Sequence, residues 1–184
     1  MIFLSASIPT PGREFYGTED IVAIREAVMA FTFVCVENKI PFYFGGHPAI
    51  TPIIWDVAKE YSPSYRELIK IYQSKWFEAQ TPAEVDYFPN IVWTDRKETL
   101  KDSVILMREQ MFSENDTDMA VFIGGMDGII DESKRLQEHY ENIKMIPVAT
   151  TGGTSARLYK DMHLEDADLI SNYAYVSIFR KKLL

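Results

Sequence analysis

The sequence is poor in the residues that build cross-links and metal centres. It has one cysteine, Cys35, and three histidines among 184 residues. A lone cysteine excludes an intrachain disulfide. The scattered His47, His139 and His163 form no ligand-spaced cluster with it, so we predict no metal site. Cys35 lies in the apolar run 31–36 and is expected to be a buried, inert thiol.

Positive charge is also scarce, with 19 Lys and Arg against 27 Asp and Glu and a net charge of -8. A nucleic-acid surface needs clustered Lys and Arg, so we expect no nucleic-acid partner. The one short basic run, residues 180–182, is expected to be a solvated helix end. The first nine residues lack the basic flank of a signal peptide and the length of a membrane span. We therefore expect no membrane partner and a cytoplasmic location.

What the sequence does have is a regular alternation of strand and helix signals over residues 1–184, without a linker or composition break. Strands are predicted at 1–4, 41–44, 67–72, 90–94, 119–123 and 145–149. Helices are predicted at 19–38, from 51 onward, at 98–111, at 129–142 and at 166–182, with an irregular excursion at 76–89. This order predicts a single α/β domain with a mostly parallel sheet and helices on both faces.

Capping signals place the starts of the first two helices. Thr18 or Asp20 is expected to cap the first helix, and Thr51 the second, with Pro52 at the first helical position. Apolar residues at helical spacing are expected to turn one side of the first helix to the core: Ile21, Ile24, Val28 and Phe31.

Three predicted strands run into a double glycine that leads to a helix: Gly45–Gly46, Gly124–Gly125 and Gly152–Gly153. Ligands of open parallel sheets lie beyond the carboxyl ends of the strands. Glycine there permits positive φ and close backbone approach, and the helix N-termini attract phosphate. The pairs therefore predict an anion pocket, although any one of them alone could be only a tight turn. None carries the dinucleotide fingerprint or a Walker loop.

The glycine segments invite a family comparison. The strings FGGHPAITPII, IYQSKWF, VFIGGMDGI and TGGTSARLY resemble the SLOG superfamily of DprA-like and "lonely guy" (LOG) nucleotide-binding domains, and most closely the sensor-type domains of Thoeris-like anti-phage effectors. The resemblance spans nearly the whole chain and implies a three-layer Rossmann-like fold. LOG enzymes carry Pro-Gly-Gly-x-Gly-Thr-x-x-Glu at the later site. Here Ile123 replaces the proline, Ile129 replaces the threonine, and one residue is added before Gly128.

The resemblance also implies residue roles. Arg108 falls where the LOG catalytic arginine is expected, but the lysine that follows it is Glu109 here. Glu132 is expected to bind ribose hydroxyls or act as an acid/base, with Asp131 competing for that role. The ligand-binding residues predicted from the strand ends and the resemblance together are Ser5, Ser7, Gly45, Gly46, His47, Gln73, Ser74, Arg108, Gly124, Gly125, Met126, Gly128, Glu132, Thr151, Gly152, Gly153 and Thr154.

Simpler structural roles stay open for several of these residues. Arg108 could be a solvated helix charge, as could Arg25 on the first helix. Turn chemistry would explain Gln73 and Ser74 equally well. Helix capping would explain Thr154, and core packing would explain Met126.

Three functions remain in view. The first is a sensor or binding domain for ADP-ribose, cyclic ADP-ribose or a related nucleotide, as the resemblance implies. The second is a LOG-like phosphoribohydrolase that cleaves the N-glycosidic bond of a nucleoside 5'-monophosphate, with Arg108 and Glu132 as catalytic residues. The third is an interaction domain with an empty site. No cofactor is expected. The expected partners are a small nucleotide ligand and either a second copy of the chain or an effector domain. The chain is expected either to stand alone or to be an excised piece.

Overall fold

Six parallel strands form one sheet in the order β4-β3-β2-β1-β5-β6 in a computed structural model that describes residues 1–184. The strands are β1 (Ile2–Ser7), β2 (Phe42–Gly45), β3 (Ile69–Ser74), β4 (Asn90–Thr94), β5 (Met119–Gly124) and β6 (Lys144–Val148). The predicted α/β class and Rossmann-like fold are confirmed, and the sheet is parallel throughout.

Seven α-helices accompany the strands: α1 (Ile21–Glu37), α2 (Thr51–Ala58), α3 (Leu100–Ser113), α4 (Gly128–His139), α5 (Gly153–Asp161), α6 (Ala167–Ser171) and α7 (Tyr175–Leu183). The predicted excursion between β3 and β4 contains only short 3-10 turns, Lys75–Gln80 and Ala83–Tyr87. No helix combines the length and the apolar character that a membrane crossing requires.

The alternation of side chains along each strand builds a core on both faces of the sheet. Ile2 and Leu4 of β1 join the larger core, to which α1, α2 and α7 contribute. Phe3, between them, joins the smaller core, built with α3 and α4. The residues of β1 with odd numbers, including Ser5 and Ser7, therefore belong to the face that α3 and α4 cover.

At the starts of the first two helices one expectation is confirmed and two are wrong. Asp20, one of the two residues predicted to cap α1, is its N-cap and accepts a hydrogen bond from the Ala23 amide at 2.9 Å. Thr51 does not cap α2: it is the first helical residue, and its buried hydroxyl accepts from the His47 amide. Ile21 does not face the core but is 54% exposed, because the buried stripe of α1 begins only at Ala23.

The third correction concerns the C-terminal segment, which was predicted as one helix over 166–182. It is two helices, α6 and α7, separated by residues 172–174. The Asn172 side chain accepts a hydrogen bond from the Ala174 amide at 2.9 Å, a local turn that competes with helical hydrogen bonding. The basic residues 180–182 lie in the last turn of α7, where Arg180 and Lys181 are exposed as expected. Lys182 is not solvated, because it is largely buried against Asp166.

The strand order locates the region where a ligand is expected. β2, β3 and β4 extend the sheet to one side of β1, whereas β5 and β6 extend it to the other side. The direction of chain winding thus reverses between β1 and β5, and the crevice beyond the carboxyl ends of these two strands is the usual ligand position in such sheets.

Candidate functional site

The predicted site residues gather at one edge of the sheet, because parallel strands end on the same side. Ser7 ends β1, Gly45 ends β2, Ser74 ends β3 and Gly124 ends β5. Residues at the starts of α4 and α5 complete this carboxyl edge. The turns after β2, β5 and β6 therefore all lie at this edge, as the double glycines predicted.

A hydrogen-bonded chain of three side chains lies at the end of β1. The Ser5 hydroxyl donates to Glu132 Oε2 at 2.5 Å. Arg108 donates to Glu132 Oε1 from Nε at 3.1 Å and from Nη2 at 2.9 Å. The Arg108 and Glu132 side chains are only 13% and 15% exposed, so the pair is largely shielded from water. We call Ser5, Arg108 and Glu132 the polar triad.

The start of α4 is shaped around the Arg108 guanidinium. Arg108 Nη2 donates to the Gly128 carbonyl at 3.2 Å, and a Cβ on Gly128 would lie 2.8 Å from that nitrogen. Glycine at this position thus leaves room for the arginine. Arg108 Nη1 also bonds Asp131 at 2.7 Å, so both carboxylates considered from the sequence bind the same guanidinium.

Sequence reasoning missed a second layer of charges behind the triad. Arg135 binds Asp131 at 3.0 Å and also pairs with Glu109. Both contacts raise the pKa of Arg135, and the hydrogen bond to Asp131 has the larger effect. His139 Nε2 lies 3.4 Å from the other oxygen of Glu109. The four-residue spacing of Asp131 and Arg135 on α4 was the available signal. Glu109, at the position of the expected lysine, therefore contacts two residues of α4, Arg135 and His139.

The turn after β5 is fastened to β1 and β6 by its own amides. The Gly124 amide donates to the Thr151 hydroxyl at 2.8 Å, and the Gly125 amide donates to the Ser7 carbonyl at 2.8 Å. The Met126 amide donates to the Ser7 hydroxyl at 3.2 Å. These three amides thus have protein acceptors and are not free donors for a phosphate.

The turn after β6 is fastened in the same way. The Thr154 hydroxyl and amide both donate to the Gly125 carbonyl, at 3.0 and 3.1 Å, and the Thr151 hydroxyl donates to the Val148 carbonyl. The Gly153 amide donates to the Thr18 carbonyl at 3.3 Å, as the loop after β1 crosses this turn. Gly152 and Gly153 have φ of 69° and 57°, values that favour glycine.

The turn after β2 forms a separate group with the end of β3. The His47 ring accepts a hydrogen bond from the Ala49 amide at Nδ1, and burial lowers the pKa of His47 to about 4. Gln73 donates to the Thr81 hydroxyl at 3.0 Å, whereas its buried Oε1 has no partner. Ser74 accepts from the Trp76 amide, the turn role foreseen as its alternative. Because β2 lies between β1 and β3, Gln73 and Ser74 are two strand spacings, about 10 Å, from β1.

The structure thus divides the predicted residues into two groups. One comprises the polar triad and the joined turns of β5 and β6; the other comprises Gly45, Gly46, His47, Gln73 and Ser74. Met126 is half-buried beside the triad's crevice. A surface groove of about 660 Å³ lies elsewhere, between α1 and α7, and none of the residues that line it was predicted for the site.

The triad can bind a hydroxyl group. A carboxylate offers about four lone-pair positions, and Glu132 already uses three of them for Ser5 and Arg108. One acceptor position therefore remains for a ligand. No cluster of His, Cys, Asp and Glu has the geometry of a metal site, and burial raises the pKa of the Cys35 thiol far above its usual range.

Comparison with known proteins gives one result. The family model described as the SLOG cluster3 family matches residues 14–183. No curated protein matches the chain. The resemblance to SLOG domains drawn from the glycine strings is thereby confirmed, whereas the closer likeness to Thoeris-like sensors stays a prediction.

Proposed function

The chain belongs to the SLOG cluster3 family, a membership that indicates nucleotide-related ligand binding or processing, and from this premise we propose that it is a non-enzymatic binding domain for an ADP-ribose-like nucleotide. The ligand lies beyond the ends of β1 and β5, with a ribose against the polar triad. Readout through a second copy or an effector domain, in a cytoplasmic setting, belongs to the same proposal.

The observation that supports a ribose site is the polar triad itself. Glu132 is held in one orientation by Arg108 on one oxygen and by Ser5 on the other. A carboxylate fixed in this way accepts a vicinal hydroxyl group without first losing side-chain freedom. Its place at the reversal point of the strand order is where ligands of this architecture bind.

The same contacts favour binding over hydrolysis. N-glycosidic cleavage needs one group to activate water and another to protonate the departing base. Glu132 has a single acceptor position left, and Glu109, in place of the expected lysine, is paired with Arg135 and His139. The LOG-like phosphoribohydrolase stays the second candidate, because the Arg108–Glu132 pair it would use is assembled.

Ligand screening separates the candidates. We expect ADP-ribose or a cyclic ADP-ribose isomer to raise the melting temperature, because a ligand that binds only the folded state stabilises it. Chromatography should then recover the ligand intact. Release of free base from AMP, abolished in Glu132→Gln, would instead establish the hydrolase. No shift with any of these nucleotides would reject both and favour an interaction domain.

Arg108→Ala tests the placement of the site. Without the guanidinium, Glu132 loses two of its hydrogen bonds and faces Asp131 with no cation between them. We expect ADP-ribose binding to weaken by about 10-fold or more, because Glu132 is no longer held in the orientation that accepts the ribose hydroxyl. Arg25→Ala is the matched control, since Arg25 is exposed on α1 and pairs only with Glu26. Equal losses in the two variants, measured by calorimetry, would contradict this placement.

A further inference from the structure

The loops that border the crevice beyond β1 and β5 are short of basic side chains for a ligand that carries a diphosphate. The loops that follow β1, β2, β5 and β6 comprise residues 8–20, 46–50, 125–127 and 149–152. They contain one basic residue, Arg13, against the acidic residues Glu14, Glu19, Asp20 and Asp127. These loops therefore offer a nucleotide phosphate a basic side chain at only one position.

Several other sources of positive charge near the crevice are already engaged. Arg108 is bound to Glu132 and Asp131, and Arg135 to Asp131 and Glu109. The amides of Gly124, Gly125, Met126, Gly153 and Thr154 have protein acceptors. His47 is neutral at pH 7, because burial lowers its pKa to about 4.

Arg13 is held beside the crevice with most of its donors unused. Its Nη2 bonds Asp127 Oδ1 at 2.7 Å, which joins the loop after β1 to the residue before α4. Both side chains are 51% exposed, and this is the one side-chain hydrogen bond that Arg13 makes. A guanidinium carries several further N–H donors in a planar fork that matches phosphate oxygens.

We propose that Arg13 is the phosphate-binding residue of the site, and that Asp127 holds it in place until a phosphate takes it over. The inference rests on the proposed nucleotide function and adds to it an exchange of one ion-pair partner for another. Ligand phosphate and the Asp127 carboxylate compete for the same guanidinium. Asp127 also repels the incoming phosphate as a like charge.

The competition predicts effects of opposite sign for the two partners. Arg13→Ala should weaken ADP-ribose binding by about 10-fold, since a charge-assisted contact is lost. Asp127→Asn should tighten it by about 2- to 5-fold, because the competing carboxylate is gone while Arg13 remains. If the pair only fastened two loops together, both variants would loosen the site and weaken binding.

Calorimetric titrations with ADP-ribose and with adenosine form the experiment, with Arg157→Ala as control because Arg157 is an equally exposed arginine that pairs with Asp161 on α5. The expected result is opposite shifts for ADP-ribose, none for adenosine and none in the control. Shifts in the same direction, or none, with wild-type binding intact would overturn the role of Arg13 alone. Absence of ADP-ribose binding by the wild-type chain would overturn both this role and the proposed function.

Discussion

The same dipeptide, Gly-Gly, ends two regions of the carboxyl edge for different physical reasons. In the joined turns after β5 and β6, Gly124, Gly125, Gly152 and Gly153 all have positive φ. In the turn after β2, neither Gly45 nor Gly46 does. The first region needs glycine for its backbone conformation, whereas the second needs it only for space.

The two regions also differ in what surrounds a hypothetical Cβ. At Gly152 and Gly153 it would meet backbone atoms, namely the Thr18 carbonyl oxygen at 2.2 Å and the Gly125 carbonyl oxygen at 2.8 Å. At Gly45 it would meet the terminal methyl of Met107 at 3.3 Å. Backbone cannot yield where the end of a methionine side chain can, so Gly152 and Gly153 should not tolerate a larger residue, whereas Gly45 should. The same dipeptide in a sequence does not reveal which kind of turn it forms.

Gly152→Ala should have the largest effect on stability. The backbone of Gly152, at φ 69° and ψ -154°, lies in a region open essentially to glycine, and the Cβ would overlap the Thr18 carbonyl. We expect the free energy of unfolding to fall by about 4 kcal/mol, as strain and a backbone clash add. Urea denaturation measures it.

Gly17→Ala is the control that separates strain from overlap. Gly17 has φ 83°, yet a Cβ there would meet nothing within 4 Å. The Gly17→Ala substitution should therefore lower the free energy of unfolding by only about 1 kcal/mol, the penalty for an alanine in left-handed backbone alone. Equal losses for Gly17→Ala and Gly152→Ala would show that the crossing of the loop after β1 over the turn of β6 does not constrain the fold.

The sequence carries enough local information to predict the elements but not their mutual contacts. The strand 90–94 and the Asp20 cap were predictable because alternation and capping depend on neighbouring residues. The contact of Asp131 and Arg135 with α3 was not, because it depends on how α3 and α4 are rotated against each other. The resemblance supplied Arg108 and Glu132 but not the occupation of the turn amides, which a distant loop partly determines.

His47→Asn tests the turn of β2 through pH. The folded-state pKa of about 4 lies below the ordinary value of 6.5, so unfolded chains bind the proton more readily. The stability that neutral His47 contributes is complete above pH 6.5 and is lost as the pH falls toward 4.

Asparagine keeps an acceptor for the Ala49 amide but does not titrate. Between pH 7 and 4.5 the wild-type chain should therefore lose about 1–2 kcal/mol more than the variant, allowing for partial exposure of the ring. Thermal unfolding across this range provides the measurement. Parallel pH profiles would mean that the folded chain admits the charged ring.

Gly45→Ala should have the smallest effect, and its sign is informative. The flexible end of Met107 has to move by only a few tenths of an ångström to make room for the new methyl group. The alanine also reduces the conformational freedom of the unfolded chain, which stabilises the folded state. These effects nearly cancel, so we expect the free energy of unfolding to change by less than about 0.5 kcal/mol.

Gly46→Ala is the neighbouring comparison, because its Cβ would lie 1.9 Å from Gln73 Oε1 and force Gln73 away from Thr81. Denaturation should show about 1–2 kcal/mol of destabilisation at Gly46 and almost none at Gly45, since displacing Gln73 breaks a hydrogen bond and shifting Met107 does not. A large loss at Gly45 would mean that Met107 is as fixed as the backbone around Gly152, and the turn of β2 would then be as rigid as those of β5 and β6.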